Sequence, residues 1–437
     1  MGKQPLLGAR HPGLQVVAGP TGLCYHGWAP ASQARTLVGA CLAKAGSVAG
    51  GAKVGEPPSF DSVWAYYEQM VPNNVAFVKE AKAQGRPVVG IYCEFTPREL
   101  ILAAGAVPVC LCGASEKPIP AAEVDLPRNL CPLIKSSYGF VTTGTCPYYE
   151  MADAVVAETT CDGKKKMFEL IAQRRPTHVL ELTQKVDEPA AYDHWYREIV
   201  GLKEFLERTL SVAISEDALG AAIREVNEWR RLLGRLYDFT RCHPPVLRGT
   251  QLLRTREHAL GNPRAYEMLR QLAEALQAKK ERGEYAAGPE APRVLLTGCP
   301  TGVGVEKVIR IIEDLGGAMV CQEACSGIKP IAELVEENGD PLAAVARKYF
   351  RLPCSCMTPN RRRVDLLRQL VADFRVAGVV DLVWTACHTY NVESHVVRRV
   401  VTEEMGLPYL KVETDYSPSD REQLASRLEA FLELLRR

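Results

Sequence analysis

The sequence lacks several features that define common protein classes. No stretch reaches the ~18 uninterrupted apolar residues that a membrane-spanning helix needs, and the best candidate, Val376 to Cys387, is interrupted by Asp381. The N-terminus has no apolar core of the kind found in secretory signals. Neither sign of charge dominates, since 53 Lys and Arg balance 52 Asp and Glu. We therefore expect a cytoplasmic globular protein that neither spans a membrane nor binds nucleic acid.

Cysteine, by contrast, is abundant. The chain contains 15 cysteines, an odd number, and without an export signal a disulfide framework is not expected. No two are spaced C-x-x-C, which argues against a zinc ribbon, a rubredoxin-like knuckle and a ferredoxin run. A shared site must therefore gather its ligands from distant segments. Cysteines without a special position are expected to be small buried hydrophobes, namely Cys24, Cys41, Cys110, Cys242 and Cys321.

The hydrophobic pattern predicts two α/β units. Short apolar runs alternate with helical segments over residues 59–187 and again over 291–437, which is typical of parallel sheets covered on both faces. Residues 188–290 are predicted to be helices followed by a turn-rich linker, and residues 1–58 an N-terminal arm. The fold class expected is α/β, with two doubly wound parallel-sheet (Rossmann- or flavodoxin-like) domains and an inserted helical segment. The predicted strands are Pro87–Tyr92, Val107–Cys112, Ala154–Glu158, His178–Leu182, Arg293–Thr297, Ala318–Gln322, Val379–Thr385 and Tyr409–Val412.

Several cysteines directly follow predicted strands. In an open α/β sheet the ligand site lies outside the carboxyl ends of the strands. The helix N-termini that come next carry partial positive charge, which stabilises thiolates and an anionic cluster. Cys131 and the pair Cys354 and Cys356 lie in loops that can reach the same cleft. The pattern therefore indicates an iron–sulfur site. The cysteines at strand ends are Cys93, Cys161, Cys299, Cys325 and Cys387.

Three other features are less specific. The glycines from Gly298 to Gly304 open a helix but lack the Lys-Ser/Thr of a P-loop, so they favour close backbone approach over nucleotide binding. Lys164–Lys166 has the composition of a solvated helix face, but cations at a helix N-terminus oppose the dipole. We expect at least one of these lysines to serve an anionic cluster or an acidic partner. His388, beside Cys387, is a candidate proton donor, although a lone histidine more often has a structural role.

A family resemblance rests on specific segments of the chain: Gly90–Pro97, Asp125–Phe140, Glu158–Met167, Thr297–Pro300, Cys354–Asn360, Ala386–Ser394 and Glu413–Leu435. Together they resemble the 2-hydroxyacyl-CoA dehydratase / benzoyl-CoA reductase family, and within it most closely the double-cubane cluster proteins. The similarity covers about residues 60–437, and the arm before residue 58 has no recognisable counterpart.

The resemblance implies a homodimer in which each chain holds an [8Fe-9S] cluster, two [4Fe-4S] cubanes joined by a sulfide, with three cysteines on each cubane. It also implies a separate ATP-hydrolysing [4Fe-4S] activator that supplies low-potential electrons. By position, Cys93, Cys131 and Cys387 match the ligands of the single cubane in the dehydratase branch. The second set expected is Cys161, Cys325 and Cys356, with Cys299 and Cys354 in reserve.

Three functions are compatible with this pattern. The first is an ATP-dependent low-potential reductase of small, hard-to-reduce molecules, in which Glu94 or His388 supplies a proton. The second is an (R)-2-hydroxyacyl-CoA dehydratase or benzoyl-CoA reductase subunit with a single [4Fe-4S] cluster. The third is a non-enzymatic electron carrier or cluster scaffold.

Overall fold

The computed structural model describes residues 58–256 and 260–437. Except for Pro58, the predicted N-terminal arm lies outside the described residues. Cys24 and Cys41 lie there too. The domain limits proposed from the sequence remain predictions.

The first sheet has the spatial order β2-β1-β3-β4, and every neighbouring pair is parallel. Val88 lies opposite Val107, and Val89 lies opposite Ala154, so β1 is central and paired on both sides. All four strands coincide with predicted ones to within two residues. Their bounds are β1 (Val88–Ile91), β2 (Val107–Cys110), β3 (Ala154–Glu158) and β4 (Thr177–Leu180).

The second sheet repeats this topology in the order β6-β5-β7-β8, again with parallel pairs throughout. Val294 lies opposite Gly378, and Val379 opposite Tyr409. The expectation of two parallel-sheet α/β units with a Rossmann- or flavodoxin-like arrangement is therefore confirmed. The strand bounds are β5 (Arg293–Gly298), β6 (Ala318–Glu323), β7 (Gly378–Trp384) and β8 (Tyr409–Thr414).

Helices connect the parallel strands, as crossovers require. A 3₁₀ turn, Lys329–Ile331, follows β6, and a π-helical turn, Val400–Glu404, continues the helix after β7. In the described part of residues 188–290, the regular structure is helical. The helices are α1 (Phe60–Glu68), α2 (Met70–Ala83), α3 (Arg98–Ala103), α4 (Ile119–Ala122), α5 (Pro132–Thr143), α6 (Pro147–Met151), α7 (Asp162–Ala172), α8 (Ala191–Leu210), α9 (Glu216–Arg241), α10 (Gly249–Arg254), α11 (Pro263–Glu281), α12 (Lys307–Asp314), α13 (Pro341–Phe350), α14 (Arg361–Asp373), α15 (His388–Arg399) and α16 (Arg421–Leu435).

The core explains why the strands are continuous apolar runs. Successive residues of β1 enter different cores: Val88 belongs to a cluster that includes residues of both sheets, whereas Val89 packs with α8 residues such as Trp195. In β5, Val294 faces the shared cluster and Leu295 packs with residues of α9 and α11. Both faces of each sheet are thus buried, and alternation between apolar and polar residues would be unfavourable.

The inserted helices are fixed to the rest of the fold by buried polar bonds. Ser215 caps α9, since its hydroxyl accepts a hydrogen bond from the Ala218 N–H at 3.1 Å. The Trp195 indole N–H donates to the Ala346 carbonyl at 3.0 Å. Arg230 and Glu99, both with fully buried side chains, form an ion pair at 2.7 Å.

Among the described residues, no helix is both long and apolar enough to cross a membrane.

Candidate functional site

The carboxyl ends of both sheets open onto one cavity of about 1130 Å³. Thiols line it from segments that are far apart in the sequence, as expected for a chain without C-x-x-C. All eight cysteines proposed as ligands or reserves are in this lining, and sequence reasoning missed the ninth, Cys112. The nine are Cys93, Cys112, Cys131, Cys161, Cys299, Cys325, Cys354, Cys356 and Cys387.

The repeated sheet topology places cysteines at equivalent positions in the two halves. Cys93 follows β1 as Cys299 follows β5, and Cys161 follows β3 as Cys387 follows β7. Cys161 is the N-cap residue of α7, and Cys387 is the N-cap residue of α15. Both thiols therefore lie at the positive end of a helix dipole, where negative charge is stabilised.

Unusual backbone conformations precede two of these thiols. Ala386, just before Cys387, has φ of +62°, a left-handed conformation that is uncommon for a residue with a Cβ. Gly298, just before Cys299, has φ of +102°, and a Cβ there would lie 2.2 Å from the Leu382 carbonyl oxygen. Such conformations persist where the surrounding structure imposes them, and they are concentrated at functional sites.

Cys131, Cys299 and Cys387 form a first thiol group. Hydrogen bonds from Cys131 and Cys299, with the backbone N–H of Tyr390, lower the pKa of Cys387 to about 3. The hydrogen bond with Cys387 raises the pKa of Cys131. Burial, together with a hydrogen bond to Cys387, raises the pKa of Cys299. Negative charge in this group is therefore favoured at Cys387. The structure thus places Cys299, held in reserve from the sequence, beside Cys131 and Cys387.

Cys93, Cys325, Cys354 and Cys356 form a second thiol group. A hydrogen bond with Cys356 lowers the pKa of Cys354, and the nearby Lys329 ammonium lowers it further. Burial raises the pKa of Cys325 to about 12, and burial also raises the pKa of Cys93. Charge interactions connect Cys93 with Cys325 and Cys356, so these thiols share one electrostatic environment.

Cys161 lies beside the first group. Its thiol is mostly buried, and that burial raises its pKa, while the Lys164 N–H and ammonium lower it. Its charge interacts with Cys387, but no hydrogen bond joins the two thiols among the described contacts. The structure thus brings Cys161 to the cavity without including it in either thiol group.

Two buried ion pairs lie among the thiols. Glu94 is buried and lines the cavity, and the Lys329 Nζ lies 3.7 Å from its Oε1. Burial raises the pKa of Glu94, and the charge of Lys329 opposes that rise. Lys164 also lines the cavity, and its ammonium donates to the fully buried carboxylate of Glu158. Each ion pair thus places a buried cation and a carboxylate beside the thiols.

The three lysines of the run lie in different environments. Lys164 is in the cavity wall, whereas Lys165 pairs with Asp162 at 2.8 Å and Lys166 with Glu169 at 2.7 Å, both near the surface. The helix that carries them begins at Asp162, so this acidic residue occupies the first turn and complements the dipole. The expected role beside a cluster is consequently open to Lys164 alone.

The two proposed proton donors, His388 and Glu94, line the cavity at its exposed rim and at its buried end, respectively. His388, the first residue of α15, lines it but is exposed, which places its imidazole at the rim. Glu94 lies at the buried end. Lys329 and Tyr390 were missed by sequence reasoning, because a lysine in a loop and a tyrosine in a helix give no signal of burial. The Lys329 ammonium lies 3.3 Å from the Tyr390 hydroxyl.

Comparisons with known proteins agree with this arrangement. A family model described as "2-hydroxyglutaryl-CoA dehydratase, D-component" matches residues 93–435. "Putative dehydratase subunit YjiM" of Escherichia coli (strain K12) is 44% identical over 359 residues, 82% of this chain and 94% of that protein. The (R)-phenyllactyl-CoA dehydratase beta subunit of Clostridium sporogenes is 21% identical over 86% of this chain and 99% of its own length. The lactoyl-CoA dehydratase subunit beta of Anaerotignum propionicum is 25% identical over the same shares.

The match covers all nine cavity cysteines and every strand except β1, which ends at Ile91. Of the segments on which the sequence resemblance rests, it includes Gly90–Pro97 from Cys93 onward and the other six in full. The chain belongs to the 2-hydroxyglutaryl-CoA dehydratase D-component family, which confirms its resemblance to the 2-hydroxyacyl-CoA dehydratases.

Proposed function

We propose that the chain is the catalytic component of an iron–sulfur oxidoreductase. The observation that carries this proposal is the convergence of nine cysteines on one cavity from both sheets. Cysteine thiolates are the ligands of iron–sulfur clusters, and three of these cysteines, Cys131, Cys161 and Cys387, are N-cap residues of helices. The donor set therefore fits the group that the sequence predicts.

The division of the thiols into two groups favours an [8Fe-9S] double cubane over a single [4Fe-4S] cluster. A single cubane bound by the first group would leave the second group, which also lines the cavity, without a role as ligand. Two cubanes with three cysteines each would use both groups. The proposed ligands are Cys131, Cys299 and Cys387 for one cubane, and Cys93, Cys325 and either Cys354 or Cys356 for the other.

This assignment replaces Cys161 by Cys299 and moves Cys93 from the set with Cys131 and Cys387 to the set with Cys325. The reason is contact: Cys299 shares Cys387 as a hydrogen-bond partner with Cys131, whereas Cys161 interacts with Cys387 through charge alone. Cys161 remains available as a ligand beside the first group.

The residues around the thiols suit redox chemistry at low potential. When bound, the cluster would supply the electrons, which is cofactor chemistry. Lys164 and Lys329 are buried cations that offset negative charge in the cavity, and each is held by a carboxylate. Glu94 can hold a proton at its carboxyl group, since neither oxygen has a hydrogen-bond partner and burial raises its pKa. His388 can exchange protons with solvent at the rim.

We also propose the partners that the resemblance implies. The chain acts in the cytoplasm as a homodimer, and a separate ATP-hydrolysing [4Fe-4S] activator delivers its electrons. Hard-to-reduce molecules need electrons at a potential below that of common carriers, so an energy-consuming donor suits the proposed reaction. Family membership as a dehydratase component supports a multi-protein system.

Iron counting with matched variants tests the proposal. Anaerobically purified wild-type chain should contain roughly eight irons, following the ligation rule for two cubanes. Cys299→Ser and Cys93→Ser should each lose about half of that iron, because each removes a ligand from a different cubane. Cys321→Ser is the control, since Cys321 is fully buried in β6 but does not line the cavity.

The single-cluster alternatives predict different patterns. A cubane held by the first group alone gives roughly four irons in the wild type, none in Cys299→Ser and no loss in Cys93→Ser. A cubane held by Cys93, Cys131 and Cys387 also gives roughly four irons, but none in Cys93→Ser and no loss in Cys299→Ser. Iron near zero in anaerobically purified wild-type protein would exclude both cluster types.

A second candidate function is an (R)-2-hydroxyacyl-CoA dehydratase subunit. The names of two relatives, beta subunits of phenyllactyl-CoA and lactoyl-CoA dehydratases, favour it. It predicts an obligate, dissimilar partner subunit and a change in the visible spectrum when an (R)-2-hydroxyacyl-CoA is added. The reductase predicts a stable homodimer without that response.

A further inference from the structure

A pair of cysteines outside both thiol groups lies at the end of β2. Cys110 is the last residue of this strand and is exposed, and Cys112 follows two residues later, half-buried, where it lines the cavity. Their side chains are in hydrogen-bonding contact. The pair therefore connects the protein surface to the wall of the cavity.

The local geometry permits a bond between these sulfurs. Residues two apart on an extended chain point to the same side, and two rises of 3.2–3.4 Å separate their Cα atoms by about 6.4–6.8 Å. Disulfides span Cα distances of roughly 4.4–6.8 Å, so the pair lies at the long end of that range. Disulfides that are strained or exposed are more easily reduced than structural ones. A bond here would be reversible.

The two thiols have unequal roles. The hydrogen bond with Cys110, together with burial, raises the pKa of Cys112 well above its usual value, so Cys112 keeps its proton. Cys110 is the sulfur that a dissolved oxidant can reach. An accessible cysteine beside a second cysteine that can resolve it is the usual arrangement in redox-sensing sites.

We propose that Cys110 and Cys112 form an oxidisable pair, which a hydroperoxide converts to a disulfide at the mouth of the cavity. The Cys110 thiolate attacks a peroxide oxygen, the O–O bond breaks, and Cys110 becomes a sulfenic acid while hydroxide leaves. The Cys112 thiol then attacks the sulfenic sulfur, the S–O bond breaks, and water leaves with the Cys112 proton. In sum, two thiols lose two electrons and two protons, and hydrogen peroxide is reduced to two waters.

This oxidation would remove a hydrogen bond beside the first sheet, in the cavity wall. The Cys112 thiol donates to the Tyr92 carbonyl at 2.8 Å, and this carbonyl belongs to the peptide that leads into Cys93. In the disulfide, Cys112 has no proton to donate, so that bond is lost. Oxidation at the surface thus changes the hydrogen bonding of the backbone next to Cys93, whether or not the cavity carries iron.

Cys146 is a competing partner for Cys110. Its charge interacts with Cys110, but the hydrogen bond of the pair joins Cys110 to Cys112. Trypsin separates the two outcomes, because Cys110 and Cys112 share the peptide Glu99–Arg128 and Cys146 lies on a different one. A Cys110–Cys112 bond is internal to one peptide, whereas a Cys110–Cys146 bond crosslinks two.

The experiment treats the full chain, as purified anaerobically, with one equivalent of hydrogen peroxide, then alkylates, digests and maps it by mass spectrometry. We expect peptide Glu99–Arg128 to lack two hydrogens, to resist alkylation at both cysteines and to recover both thiols with dithiothreitol. Cys110→Ser should abolish the bond, and the control Cys242→Ser, at a half-buried cysteine outside the cavity, should form it like wild type.

Three results would overturn the proposal: free thiols at both positions after peroxide, a sulfinic acid at Cys110 with Cys112 unmodified, or a crosslink from Cys110 to Cys146. The wild-type peptide map decides among them even if a variant does not fold. The readout is a peptide mass, so failure of the iron–sulfur proposal would appear separately, as a missing iron content.

Discussion

The three adjacent lysines of α7 allow a sharp test of how the cavity wall is held. Lys164→Met removes the partner of Glu158, whose side chain is 0% exposed, while Lys164 itself is only 11% exposed. Lys164 and Thr160 both donate to Glu158 Oε1, and Oε2 has no hydrogen-bond partner, so the variant leaves a buried carboxylate whose remaining hydrogen bond comes from Thr160. Breaking a buried pair in this way costs about 3–5 kcal/mol, because the remaining charge is uncompensated.

That free energy is measurable by urea unfolding of the reduced chain. With a slope of about 3 kcal/mol per molar urea, the midpoint should fall by about 1–2 M. Lys165→Met and Lys166→Met are matched controls one and two residues away, at side chains that are 45% and 70% exposed, and both should unfold near the wild-type midpoint. The double variant Lys164→Met/Glu158→Gln should recover part of the loss, since no unpaired charge remains buried.

The same series separates the stability of the wall from its electrostatic role. If Lys164 also offsets cluster charge, Lys164→Gln should slow activator-dependent reduction, whereas Lys165→Gln and Lys166→Gln should not. A Lys164→Met midpoint equal to that of Lys165→Met would refute the reasoning, because it would mean that the buried pair contributes no more than a solvated one.

Three further predictions follow from particular contacts. Gly298→Ala should unfold at a lower urea concentration than Gly283→Ala and should lose iron. Both glycines have positive φ, which costs a residue with a Cβ about 1–2 kcal/mol, but only at Gly298 does the added Cβ meet the Leu382 carbonyl. Equal urea midpoints would contradict the steric argument. Burial lowers the pKa of Lys348 to about 7, below its value in the unfolded chain. Above pH 7 the unfolded chain therefore binds more protons than the folded chain, and the free energy of unfolding should rise from about pH 7 to 10. Lys348→Met should flatten that rise in urea midpoints measured across pH, and an unchanged slope would argue against a neutral lysine in the fold. Asn227→Leu should lower the free energy of unfolding by about 1–3 kcal/mol, because the buried Asn227 amide accepts from the Val335 N–H at 2.9 Å and donates to the Val335 carbonyl at 2.8 Å. Asp217→Asn, on the same helix, is the exposed control.

Much of the fold could be predicted because the local signals are strong. The eight strands are short apolar runs buried on both faces, and a parallel sheet needs such runs. Cysteines directly after strands pointed to the correct sheet edge, since all carboxyl ends of parallel strands meet there. The start of the last helix differs from what the sequence indicates. Ser417 followed by Pro418 predicts an N-cap at Ser417, but Asp420 is the N-cap residue, and its carboxylate accepts hydrogen bonds from Lys307 and Thr414 of other elements. That expectation was wrong because tertiary partners determine where this helix begins.

Which thiols meet could not be predicted from position along the chain. Cys131 lies in the first α/β unit, yet its thiol hydrogen-bonds with Cys387, which follows β7 of the second sheet. That contact depends on how the two α/β units pack against each other, which sequence periodicity does not describe. Lys329 gave no signal for the same reason, since its burial arises from Glu94 and Glu323 on separate segments.

The central claim is that the nine-thiol cavity holds two cubanes ligated by separate groups of cysteines. The most direct measurement is an anaerobic crystal structure with data collected on both sides of the iron absorption edge. The account predicts anomalous density for two four-iron clusters, one against Cys131, Cys299 and Cys387 and the other against Cys93 and Cys325. A single four-iron peak, or no iron signal in protein that was never exposed to oxygen, would contradict it.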